Sequence, residues 1–243
     1  MKIKPDDKKI RSFTKYYWKQ GRKVLYANSS VLVNMVGNVS LDEIKGRAEN
    51  ILDSVILRDY LTDLWVTTGS WFARDMSSRL MTRQNKDAWE ESYILYLQDR
   101  LRVKASRIAR TEANLINQLI DLINQEGFRE GWSIDRITAK IKSEMTKQLR
   151  VIHDWEAERI ARTEVIGAAN KGSFDGASVA GGLKKGWLTS GLKGTRETHQ
   201  FYESLEFKPM DYEYAPGLRH PGDPNGSAEE IINCRCTIIY STE

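Results

Sequence analysis

The chain has 243 residues, 40% of them hydrophobic and 29% charged, with a formal net charge of +4. That length suits one large domain or two modest ones around an ordinary apolar core. The basic residues are interleaved with acids, so they form no stripe of the kind dedicated nucleic-acid binders carry. No stretch approaches the roughly 18 uninterrupted apolar residues of a membrane span.

Met1 to Arg11 is charged and lacks an apolar run, so it does not read as a secretory signal. The two cysteines, Cys234 and Cys236, are one residue apart. A disulfide between such near neighbours would be strained, which leaves no disulfide framework and suits a reducing cytosol.

In chain order, residues 1–36 read as a helix, punctuated by Gly37 and Asn38. Ser40 and Glu43 then form a capping-box pattern. Behind it, Ile44, Ala48, Ile51, Leu52, Val55, Ile56 and Leu64 recur at spacings that place them on one face of an amphipathic helix. Residues 70–126 contain no proline, and Trp89, Tyr93 and Leu97 follow at intervals of four, which predicts a long helix or helical hairpin. Gly127 to Gly131 breaks it. Ser133 offers a new N-cap ahead of the stripe Ile134, Ile137, Ile141 and Met145, and a further helix is expected from about Asp154 to Gly172.

Arg107-Ile108-Ala109-Arg110-Thr111-Glu112 recurs word for word as Arg159-Ile160-Ala161-Arg162-Thr163-Glu164. Two copies do not make a solenoid. Either the unit is duplicated, or two helix faces share a pattern with Ile inside and Arg and Glu outside.

After Gly181-Gly182 the helical periodicity stops. Lys184 to Thr189, around Trp187, reads as a strand, and the proline- and glycine-rich residues 206–228 read as a long loop. The last element is expected to be a strand with Ile232, Cys234, Cys236, Ile238 and Tyr240 on one face. The fold class is therefore α+β. A long helical N-terminal region, residues 1–132, precedes a small α+β C-terminal domain, residues 133–243, with a short sheet and long loops.

Few residues suggest chemistry. Two thiols at i and i+2 on a strand point the same way, and zinc would need two more ligands, for which His199 and His220 lie nearby in sequence and His153 further upstream; His199, Cys234 and Cys236 are the candidate metal ligands. The competing reading places both cysteines in an apolar core, and their Cys-x-Cys spacing lacks the Cys-x-x-Cys geometry of common zinc knuckles. Thr195 is placed to cap a short helix carrying Arg196 and His199 on one face. No nucleophile has a recognisable spacing to His199, so no catalytic residue and no cofactor-binding residue is expected. Lys184, Lys185, Lys193 and Arg196 form a loose basic cluster around Trp187, either a phosphate contact or a solvated surface.

Taken in order, several C-terminal features resemble one family. They are Ile160-Ala161-Arg162-Thr163-Glu164, Trp187, Thr195-Arg196-x-x-His199, Phe207, Pro221-Gly222-Asp223-Pro224 and Ile232-Asn233-Cys234-Arg235-Cys236. Over residues 134–240 the chain is similar to the Mu protein F-like family of phage head morphogenesis proteins. The resemblance implies a minor head (capsid) protein, not an enzyme, acting in head assembly at the portal or inner shell. It implies portal, capsid and scaffold proteins as partners, packaged DNA as a further candidate, no membrane, and several copies per virion. It places the protein in the virion head, and in the host cytoplasm during assembly. The family commonly carries an acid shortly before the Thr-Arg-x-x-His segment. Here that stretch is Leu188 to Gly194, with Leu192 near the acidic position, which argues against catalysis. The alternatives are a metal-dependent enzyme or toxin-like domain using His199, Cys234 and Cys236, and a DNA-binding virion protein.

Overall fold

The computed structural model describes residues 2–52, 55–80 and 90–242. Trp89, the first member of the expected Trp89–Tyr93–Leu97 stripe, lies outside the described residues. Tyr93 and Leu97 are both buried.

A short strand, β1 (Lys2–Ile3), precedes the first helix, α1 (Asp7–Met35). The Asp6 carboxylate accepts from the backbone amides of Lys8 (2.8 Å) and Lys9 (3.1 Å), satisfying free donors of the first turn. Helix α2 (Leu41–Leu52) starts as its capping box predicts, with Ser40 Oγ accepting from the Glu43 amide at 3.2 Å. It buries Ile44, Ala48 and Leu52. The expected stripe toward Leu64 passes over residues outside the described ones, and helix α3 (Val55–Leu80) follows, with Val55 and Ile56 exposed and Leu57, Leu61 and Leu64 buried.

Helix α4 (Glu90–Arg129) ends at the predicted glycine break, where the Trp132 amide donates to the Gly127 carbonyl at 2.8 Å. Ser133 then caps α5, accepting from the Arg136 amide at 3.3 Å. Helix α5 (Ile134–Ser178) is one element of 45 residues, where two shorter helices were expected.

The chain divides into two compact units. One comprises Met1–Tyr17, Thr62–Gln98 and Arg159–Glu243, the other Trp18–Leu61 and Asp99–Glu158. The expected boundary at residue 132 falls inside the second unit, because contacts rather than chain order decide which segments pack together. The second unit is helical, and its core includes Leu32, Ile44, Ile116, Ile120, Ile141 and Met145.

The first unit holds the sheet. Strands β2 (Lys184–Leu188), β3 (Lys208–Pro209) and β4 (Thr237–Ser241) join β1 in the order β1-β4-β2-β3, with every pairing antiparallel. Lys185 pairs with Tyr240 and Trp187 with Ile238. Two short helices, α6 (Glu197–Ser204) and α7 (Ala228–Ile231), complete the unit. The α+β class read from the sequence is correct. One apolar cluster gathers Ile3, Met76, Phe174, Ala177, Ile238 and Tyr240. In this unit α3 and α5 approach backbone to backbone: a Cβ on Gly172 would lie 2.1 Å from the Gly69 carbonyl oxygen.

In the repeated hexapeptide Ile160 is buried as expected, and Ala109 and Ala161 are fully buried, but Glu112 and Glu164, expected outside, are buried with them. Glu164 accepts from Trp65 Nε1 at 2.8 Å, so this acid is inside because it is hydrogen-bonded.

The long loop over residues 206–228 is tied down from within. Lys185 is fully buried, and its ammonium donates to the carbonyls of Met210 (2.8 Å), Tyr212 (2.7 Å) and Arg219 (2.7 Å). The expected basic cluster therefore loses a member, since Lys185 points into the protein. In the Pro-Gly-Asp-Pro turn, Gly222 has φ of +72°, and a Cβ there would lie 2.9 Å from the Gly167 Cα, so both conformation and space require glycine.

Candidate metal centre

The cysteines are not in a strand. Regular pairing begins at Thr237, and residues 232–236 form a turn that enters β4. Its pivot is Asn233, which adopts φ of +58°. Arg162 Nη1 donates to Asn233 Oδ1 at 3.0 Å, and the Asn233 amide donates to Thr163 Oγ1 at 3.0 Å. The exit is fixed by Asn170, whose amide group donates to the Cys236 carbonyl (3.2 Å) and accepts from the Ile238 amide (3.0 Å). Helix α5 thus dictates where the two thiols sit.

His199 arrives from α6. The helix is not capped by Thr195 as predicted: its N-cap is Arg196, without a side-chain cap, and Thr195 Oγ1 donates to the Leu192 carbonyl at 2.8 Å. Arg196 reaches across to donate to the Ile232 carbonyl at 2.5 Å, joining α6 to the cysteine turn. Trp187 from β2 packs edge-on against His199, with ring centroids 4.9 Å apart, and Tyr202 and Tyr214 extend the aromatic wall.

The three predicted ligands converge. His199 Nδ1 lies 3.2 Å from Cys236 Sγ and 3.8 Å from Cys234 Sγ, and the three ligand atoms all fall within 4.8 Å of one another. All three residues are buried. The competing reading of the cysteines as core residues also has its observation, because they sit in an apolar cluster with Trp187, Tyr202, Tyr214 and Leu218. The two are compatible: an apolar wall around a sulfur-rich cluster lowers the local dielectric and strengthens any bond made inside it.

The electrostatics separate the two thiols. The hydrogen bond from Cys234 holds the Cys236 thiol well below its ordinary value, aided by His199 and Trp187 and opposed by burial. Cys234 moves the other way, raised first by the same hydrogen bond and then by burial. The shared hydrogen bond thus drives the two thiols apart, Cys236 toward the thiolate and Cys234 away from it.

Sequence reasoning missed one residue of the centre. Glu230 on α7 places Oε2 at 2.8 Å from His199 Nε2 and also receives Thr198 Oγ1 at 3.2 Å. A carboxylate on Nε2 orients the ring and leaves Nδ1 facing the sulfurs, the arrangement found behind metal-bound histidines. Residues 188–194 hold no acid, and the carboxylate beside His199 comes from the helix preceding the cysteines. Only its position four residues before Cys234 hinted at it. A cleft of about 60 Å³ opens beside His199 and Cys236, with Lys193, Arg196 and Arg235 on its walls. This is a closed Cys₂His cluster with a carboxylate behind the histidine and a basic cleft beside it.

No protein-family model matches the chain, and no solved structure matches it. Among curated proteins, it is similar to the NAD(+)--arginine ADP-ribosyltransferase EFV of Enterococcus faecalis (strain ATCC 700802 / V583). The two are 32% identical over 132 residues, which cover 52% of this chain and 25% of that protein. The chain therefore spans about a quarter of the length of the curated relative it matches.

These findings correct the head-protein reading. The resemblance to Mu protein F-like proteins, the minor head function drawn from it and the expectation of a non-enzyme give way, because the relative that is found carries an enzyme's name and no family model matches. The physical reason lies in what the shared residues do. Arg162, Thr163, Trp187, His199, Asn233 and the two cysteines build one local cluster. Residues that build a fold unit identify the unit and leave its biological use open.

Proposed function

We propose that this chain is a metal-dependent, toxin-like group-transfer domain in which His199, Cys234 and Cys236 hold one zinc ion. The observation that carries the reading is the convergence of one imidazole nitrogen and two sulfurs, with Glu230 orienting the histidine from behind. Two sulfurs and one nitrogen suit zinc, and three protein ligands leave a fourth position for water or a substrate atom, as catalytic zinc sites do. A zinc ion there supplies a Lewis acid and lowers the pKa of bound water. Two thiolates around a dication also remove the penalty of burying either charge alone.

The protein's own residues supply the rest. Trp187, Tyr202 and Tyr214 exclude water from one side of the cluster, and Lys193, Arg196 and Arg235 favour an anionic group in the cleft. The name of the relative suggests the donor class: a dinucleotide carrying a pyrophosphate, with arginine as the acceptor. The test is to measure zinc in the purified chain and transfer from NAD(+) to arginine, with and without a chelator. Zinc-dependent transfer supports the reading. A folded, zinc-free and inert protein refutes it.

One observation favours a second reading of the same residues. Cys236 Sγ, His199 Nδ1 and Glu230 Oε2 form a line with steps of 3.2 and 2.8 Å, the order of a nucleophile, its base and the group orienting the base. Zinc-free protein that loses transfer activity on alkylation of Cys236 would select this reading over the metal.

A further inference from the structure

The helical unit formed by Trp18–Leu61 and Asp99–Glu158 contains a second concave site, remote in chemistry from the cysteines. Lys19, Arg22, Lys23 and Tyr26 stand at positions i, i+3, i+4 and i+7 of α1, so all four share one face. They line a cavity of about 600 Å³, whose further described wall is His153 of α5. That volume lies in the range of pockets that take small ligands.

The charge on this face is unbalanced. Arg22 is paired with Asp154, its Nε 3.2 Å from Oδ1. Among the described residues, Lys19 and Lys23 have no acidic partner. Like charges four apart on a helix oppose its formation, so a face that keeps three cations beside one carboxylate runs against its own local stability.

His153 forms the further described wall and adds no charge to it. It is 3% exposed, yet its Nδ1 has no hydrogen-bond partner among the described residues. Buried polar nitrogens are seldom left this way, because an unmade hydrogen bond inside a protein costs the full desolvation of the group. Burial keeps the imidazole neutral near pH 7, holding its pKa down to about 4. A neutral ring adds no fourth positive charge to the wall, so an anion in the cavity is balanced by Lys19, Arg22 and Lys23. Tyr26, 48% exposed, adds an aromatic face at the edge of the cavity.

We infer that this cavity is a binding site for a phosphate-bearing nucleotide. Lys19, Arg22 and Lys23 meet the phosphate oxygens, and the Tyr26 ring stacks on the base. Three cations and an aromatic face beside one cavity form the set that a nucleotide's anionic and flat parts need. The site does not rest on the metal reading, since none of its residues belongs to the cysteine cluster.

The experiment is a fluorescence titration of the full chain with N-methylanthraniloyl-ADP at low and near-physiological salt. Lys19→Glu and Lys23→Glu, both at exposed positions, are run beside it, with circular dichroism to confirm that they fold. Saturable binding that weakens roughly tenfold or more in each variant, and weakens with salt, is the expected result. Tyr26→Ala separates base from phosphate: it should weaken the nucleotide but leave competition by inorganic pyrophosphate unchanged. An octameric oligothymidylate replaces the nucleotide in a parallel arm. Binding of the oligonucleotide without binding of ADP would overturn the assignment in favour of a nucleic-acid strand. No saturable binding, or binding indifferent to both lysine variants, would overturn it altogether.

Discussion

Replacing Lys185 with methionine asks whether a buried ammonium holds the long loop in place. The side chain is fully buried and donates all three of its protons, to the carbonyls of Met210, Tyr212 and Arg219. Methionine keeps the length and loses the donors. Each of these part-buried carbonyls left without a partner costs about 1–3 kcal/mol. Against that stands the desolvation of the ammonium, which lowers the Lys185 pKa to about 8. A shift of that size corresponds to roughly 3 kcal/mol, which the variant regains. Three carbonyls at the middle of their range outweigh it by about 3 kcal/mol, so Lys185→Met should be destabilised by about that much, or roughly 6–12 °C in Tm. Urea unfolding followed by tryptophan fluorescence, with near-UV circular dichroism as a second probe, measures this. A Lys185→Met protein as stable as the parent or more so would show that the cage is a net cost, as some buried charges are, and that other contacts hold residues 209–223.

Other outcomes follow from the same structure. Burial holds His153 near pKa 4, while in the unfolded chain it takes up its proton near pH 6.5. Between these values the unfolded state binds the extra proton, so stability falls as pH falls through that window, by roughly 3 kcal/mol at most from this residue. Stability curves of the parent and His153→Gln from pH 7 to pH 4 should diverge accordingly, and parallel curves would deny the effect. Gly172→Ala puts a methyl group 2.1 Å from the Gly69 carbonyl oxygen, so α3 and α5 must part. A loss of about 1–3 kcal/mol or more is expected in thermal denaturation, and an unchanged Tm would mean that the helices are not in backbone contact. Glu230→Gln keeps the shape behind His199 and removes the charge, so zinc affinity, measured by competition with a chromogenic chelator, should fall about 10- to 100-fold. Unaltered affinity would show that Glu230 does not orient a ligand.

Much of the helical half was legible in the sequence because its signals are local. Ser40 and Ser133 cap the helices they were expected to cap, and the break at Gly127–Gly131 lies where the glycines are. Helix continuity was less legible. Val55 and Ile56 fit the periodic stripe yet are exposed, and nothing local announced that α5 runs unbroken from Ile134 to Ser178. The hexapeptide shows a related limit. Its buried Glu164 is paid for by Trp65, 99 residues away, and no spacing rule reports such a partner.

At the site, the alternation of Cys234 and Cys236 correctly placed both thiols on one side, although the backbone there is a turn around Asn233. The sequence offered His199 and His220 alike as further ligands, and only the folded chain brings His199 to the sulfurs. Glu230 was not found, because the sequence holds many acids and only the packing of α7 against α6 selects one. The basic cluster failed in a similar way, since Lys185 lies in a strand whose inward face cannot be told from four neighbouring charges.

The most direct test of the metal centre is zinc K-edge X-ray absorption on the purified chain, with the zinc content of the same sample measured alongside. One zinc per chain is expected, bound by two sulfurs at about 2.3 Å and a nitrogen at about 2.0 Å, with both sulfurs lost in a Cys234→Ser, Cys236→Ser protein. Zinc that is absent, or that is surrounded only by oxygen and nitrogen, would contradict the assignment of His199, Cys234 and Cys236.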